Sequence, residues 1–140
     1  MLVDANAAKQ AMPFCPHMVH DHYLALWCSA RGSIEVCPEQ LICYRIHGNN
    51  QTGLLMNVVD RASYGTERID LAIKKFCWLD QNFKCDDSLK TKIREGCIWA
   101  QARKENWEQR KKADVVWKYR HFSKLPSMFE ICAARLPNWV

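Results

Sequence analysis

Residues 66–83 read TERIDLAIKKFCWLDQNF, and the recurrence of Ile69, Ala72, Ile73, Phe76, Cys77 and Phe83 at helical spacing predicts an amphipathic helix. Thr66 offers a hydroxyl to its free amides, so the helix is expected to begin there. Toward the C-terminus, Cys85-Asp86-Asp87-Ser88 forms a polar break that can cap a second helix with the stripe Leu89, Ile93, Cys97, Ala100 and Trp107. Beyond Trp107 the stripe is interrupted at Arg110, Lys111 and Asp114, then resumes in a new phase with Val115, Tyr119 and Phe122. Lys111 to Asp114 therefore marks a kink or a boundary between two helices. Ser127-Met128-Phe129-Glu130 fits a capping box, opening a short helix that runs to Leu136 before Pro137.

Toward the N-terminus, Leu54, Leu55, Val58, Val59 and Ala62 line one face of a short helix that stops near Gly65. Gly48 to Gly53 is the clearest loop, a hinge between the N-terminal third and the rest. Ile34 to His47 leaves two readings open: a helix opened by Pro38, or a small β element with a strand from Leu41 to Ile46. His17 to Ala30 reads as a helix, with Val19, Tyr23, Leu26, Trp27 and Ala30 at helical spacing. Met1 to Met12 reads as a flexible start. The expectation is all-α or nearly so: a compact bundle of about five or six helices in a single domain over residues 1–140.

A chain of 140 residues can bury a core without obligatory staples. No apolar run approaches the roughly 18 to 20 residues that span a bilayer, so no membrane partner is expected. The start of the chain has neither a basic, apolar leader nor the arginines of a transit peptide. The eight cysteines lack any CxxC or repeated interval, and they are expected as reduced thiols in a cytoplasmic or nuclear protein.

Charge carries the functional signal. Residues 90–124 hold eleven of the twenty Lys and Arg but four of the fifteen acids, with Trp99, Trp107, Trp117, Tyr119 and Phe122 interleaved. That mixture can neutralise phosphates and stack on bases. The sites expected to meet nucleic acid, or an acidic protein partner, are Arg94, Arg103, Lys104, Arg110, Lys111, Lys112, Lys118 and Arg120. A regulatory or accessory factor docking on nucleic acid or a nucleoprotein complex is the leading expectation. The alternative is a protein-only adaptor or inhibitor, viral or phage in type, with Trp99, Trp117, Trp139 or the helix 127–136 as its apolar anchor.

No catalytic constellation accompanies these residues: nucleophile elbow, phosphate loop and HExxH are all missing, so no enzyme activity and no cofactor is expected. Cys15, His17, His20 and His22 concentrate metal-type donors, yet a helix would point His22 away from His17 and His20, and no metal site is expected. One short pattern is more specific. Ser127-Met128, then Cys132 and Leu136 at four-residue steps, resembles the BC box through which SOCS-box proteins engage elongin C, with Met128 where leucine is usual. The resemblance covers ten residues and implies elongin C as a partner of that helix.

Overall fold

A computed structural model describes residues 1–41, 43 and 57–136. It is an all-α bundle, and no strand occurs among the described residues. Ile34 to Leu41 and Cys43 run without helix or strand pairing, so the small β element is not formed there, and the remainder of 34–46 lies outside the described residues, as does the hinge at 48–53.

Within the segment read as a flexible start lies a short helix, α1 (Ala5–Gln10), whose first amides are capped by the Asp4 carboxylate at 2.9 and 3.0 Å. Ala11 follows it into the core. α2 (His20–Ser29) begins three residues later than the spacing predicted and buries Tyr23, Leu24 and Trp27. Tyr23 meets the rings of Trp78 and Phe83 edge-on, at 5.7 and 5.9 Å between centroids. This N-terminal layer closes over one end of the central helix pair, in a cluster that also contains Cys15, Leu79 and Ile93. Large aromatic area leaving water, about 1.5–3 kcal/mol per side chain, holds the layer down.

The central pair departs from expectation at its start. Val58 and Val59 are not helical, and the helix opens at Arg61 behind a reciprocal cap in which Ser63 N donates to Asp60 Oδ1 (2.7 Å) and Asp60 N donates to Ser63 Oγ (3.0 Å). α3 (Arg61–Tyr64) passes through a π-helical turn (Gly65–Asp70) into α4 (Leu71–Asn82) without a break. Gly65 keeps helical dihedrals (φ −54°, ψ −51°), so it does not terminate the helix as read from sequence, and the Thr66 hydroxyl donates back to Ala62 O instead of capping a new one.

α5 (Asp87–Gln109) starts where predicted, with Asp86 accepting from Leu89 N at 2.7 Å. It buries Ile93, Gly96, Trp99, Ala100, Arg103 and Trp107 along one face. Gly96 is a contact requirement: a Cβ there would fall inside the ring of Phe76 on α4, so the missing side chain sets how closely the two helices pack. The predicted boundary at 111–114 is real. Arg110 (φ 58°) and Lys112 (φ 60°) turn the chain in the left-handed region, and α6 (Ala113–Lys118) follows. A 3₁₀ turn (Arg120–Phe122) leads to α7 (Lys124–Ala133). α7 begins at Lys124 and not at the predicted capping box, because Ser127 and Glu130 are both drawn into the interior.

Candidate functional site

The eight cations singled out from sequence fall into three groups. On α5, Arg94 and Lys104 reach carboxylates of the preceding helix: Arg94 Nε lies 3.4 Å from Asp80 Oδ1, and Lys104 Nζ donates to Asp70 Oδ1 at 2.8 Å. Lys90 joins Arg94 on Asp80 at 3.2 Å, and its hydrogen bond is the main influence holding that carboxyl below the usual range. Arg103 leaves the surface altogether. It is 4% exposed, so it cannot contribute to an outer phosphate-binding face as the sequence suggested.

Arg103 instead anchors a buried seam between α5 and α7. Its Nε and Nη2 donate to the two carboxylate oxygens of Glu130 at 2.7 and 2.5 Å. Tyr64 Oη donates to Glu130 Oε1 at 2.8 Å, and Asn106 Nδ2 donates to the Glu130 carbonyl at 3.1 Å. Burial, then the neighbouring Glu130 charge, raises the Tyr64 hydroxyl far above its ordinary pKa, so it stays a donor. Trp99 Nε1 donates to Ser127 Oγ at 3.1 Å, which in turn donates to Ser123 O at 2.7 Å. Trp99 is therefore a core residue and not an exposed anchor, and Trp139 lies outside the described residues.

The third group lies past the end of α5. Arg110, Lys111, Lys112 and Lys118 are exposed and Arg120 is half-buried, and none of the five has a carboxylate within ion-pairing distance among the described residues. Trp117 stands among them, 47% exposed, with the Arg120 guanidinium 4.3 Å from its ring centroid. Arg120 Nη1 donates to Trp117 O at 2.8 Å, which fixes the stack. Lys118, Arg120, His121 and Lys124 line one shallow concavity beside it. His121 and Lys124 were missed in the sequence reading, although they continue the same basic run.

α7 carries an inverted pattern. Its inward positions are Ser127, Glu130 and Ala133, whereas Leu125 (78%), Met128 (41%), Cys132 and Leu136 (54%) are exposed. Of the residues that resemble the BC box, Met128, Cys132 and Leu136 thus face outward and Ser127 is buried.

All eight cysteines are free. Burial raises the thiols of Cys15 and Cys85 and pushes Cys97 up to about 11, with the adjacent Cys77 adding to the last, so these three are poor nucleophiles at neutral pH. Cys15 is buried while His20 and His22 are exposed on α2, and among the described residues no group of three or more His, Cys, Asp or Glu is placed to hold a metal ion. No helix among them is long and apolar enough to cross a membrane. No protein family, curated protein or solved structure matches the chain.

Proposed function

We propose that this chain is a non-catalytic accessory or regulatory factor, cytoplasmic or nuclear, that binds nucleic acid or a nucleoprotein complex through the corner formed by α6 and its flanks. The observation that carries the reading is Trp117: a half-exposed indole held against Arg120, in a segment whose cations meet no carboxylate among the described residues. An exposed aromatic face among free cations suits a strand whose bases can stack while its phosphates are neutralised. The binding set is Arg110, Lys111, Lys112, Lys118 and Arg120, extended by Lys124. Arg94 and Lys104 contribute less, because each is already engaged with an aspartate.

Fluorescence anisotropy against short single-stranded and duplex DNA and RNA tests this, repeated from about 50 to 200 mM salt, where several phosphate contacts produce a steep loss of affinity. Trp117→Ala should weaken single-strand binding by about 1–3 kcal/mol. Absence of binding at the lowest salt would end the proposal.

A second reading is favoured by the outward apolar face of α7, which suits a protein adaptor docking on an acidic partner flanked by Lys124 and Arg135. Mixing with the purified elongin B and C pair, with Met128→Glu as control, tests the partner that the ten-residue resemblance implies.

A further inference from the structure

A second concavity adjoins the basic corner through Phe122 and Ser123. A cleft of about 410 Å³ opens between the segment leading into α2, the helix from Arg61 to Asn82, and α5, with Phe122 and Pro126 at its rim. Three cations from two helices converge on it: Arg68, Lys75 and Arg103. Phe76 and Trp99 supply apolar wall, their rings edge-to-face at 6.2 Å, and Arg103 lies 4.4 Å over the Trp99 ring.

Lys75 is the unusual member. It is half-buried, and among the described residues it has neither a carboxylate within ion-pairing distance nor a hydrogen-bond acceptor. Each acid that could serve it is otherwise disposed. Glu130 is taken by Arg103 and Tyr64, and Glu67 lines the same cleft without pairing to Lys75. The Cys15 thiol lies near enough to influence the amine but is kept protonated by burial. Burial, reinforced by the Arg103 charge, lowers the Lys75 pKa, as expected for an ammonium held without a counter-ion. Within the fold the ammonium has the Phe76 ring 4.8 Å away, a contact that offsets only part of that cost, whereas a methionine of similar length would fill the position without it.

We propose that the cleft is a binding site for a small phosphate monoester, whose phosphate is held by Lys75 together with Arg68 and the remaining donors of the Arg103 guanidinium. Glu130 takes one donor each from Nε and Nη2 of Arg103, and Tyr64 shares the same guanidinium, so of its five N–H donors the remaining ones keep capacity for a second anion. The volume exceeds what a bare phosphate occupies and falls in the range of small-molecule sites, leaving space along the Phe76 and Phe122 walls for an organic portion. The site's cations are distinct from those of the nucleic-acid corner, because Arg68 and Lys75 lie on the helix from Arg61 to Asn82 and Arg103 on α5.

Isothermal titration of the whole chain with inorganic phosphate, ribose 5-phosphate and adenosine monophosphate, against ribose and adenosine, tests the proposal. At least one monoester should bind more tightly than inorganic phosphate, and neither unphosphorylated compound should bind comparably. Lys75→Met should weaken the monoester by about tenfold or more while the unliganded variant melts no lower than wild type. Lys75→Gln serves as the second variant should the first misfold. Whether adenosine monophosphate or ribose 5-phosphate binds better identifies a nucleotide or a sugar phosphate as the source. Three results would overturn the site: no binding of any phosphate compound up to about 10 mM, equal binding of ribose or adenosine, or unchanged affinity in the Lys75 variants.

Discussion

Along α5, Lys90, Arg94, Arg103 and Lys104 each sit against a carboxylate, whereas Arg110, Lys111, Lys112, Lys118 and Arg120 a few residues further on meet none among the described residues. Composition barely distinguishes the two stretches. The difference comes from what lies opposite. α5 runs beside the helix that carries Asp70 and Asp80, and α7 turns Glu130 inward against Arg103, while the chain past Arg110 bends away on two left-handed residues. A run of positive charge thus becomes scaffold where the fold supplies acids and a candidate binding surface where it does not.

The largest effect that would break this contrast lies in the seam. Glu130→Gln leaves Arg103 buried without a counter-charge and should cost about 3–5 kcal/mol, read as a shift of the urea midpoint. A loss below about 1 kcal/mol would mean that the seam is solvated and that the two stretches differ less than described. Next, reversing Arg110, Lys111 and Lys112 together to Glu should lower single-strand affinity by about tenfold or more and flatten its salt dependence, with unfolding unchanged within about 0.5 kcal/mol. Equal loss of affinity on reversing Arg94 alone would erase the distinction between paired and unpaired cations.

A smaller effect concerns the bend itself. Lys112→Gly removes the penalty of a side chain at φ 60° and should stabilise the fold by about 0.5–1 kcal/mol, measured by chemical denaturation. The smallest is a pH effect at Asp80. Its carboxyl is depressed in the folded chain, so its contribution is complete above the unfolded carboxylate pKa and disappears as pH falls through the lower, folded value. Stability of wild type relative to Asp80→Asn should therefore shrink on acidification below about pH 4 and stay flat above about pH 6. A difference that grew as pH fell would contradict the pairing with Lys90 and Arg94.

The helical class, the start of α5 and the corner at 111–114 were legible in the sequence, because caps, apolar period and a phase change all act locally. Other features depended on distant partners. Gly65 looks like a stop, yet Trp107 packs beside it and the surrounding contacts carry the helix through a π turn. The buried place of Arg103 did leave a trace: the stripe Ile93, Cys97, Ala100 and Trp107 skips one turn, and Arg103 fills that gap. Ser127, Glu130, Ala133 and Ala134 likewise share a helical period of small and polar residues, overlooked because apolar residues are the usual sign of an inward face. The cleft at Lys75 had no such trace, since it gathers side chains from segments far apart in the chain.

The polar inner face of α7 also bears on how the helix finds its place. Hydrophobicity alone would favour turning Leu125 and Met128 inward, a rotation of about 100° for each residue of slippage. That alternative would strand Arg103 in the interior without Glu130 and leave Trp99 Nε1 without Ser127. The ion pair and its hydrogen bonds therefore act as a register lock. They favour the one alignment in which Glu130 and Ser127 both meet these partners, and they leave Leu125, Met128 and Cys132 facing out.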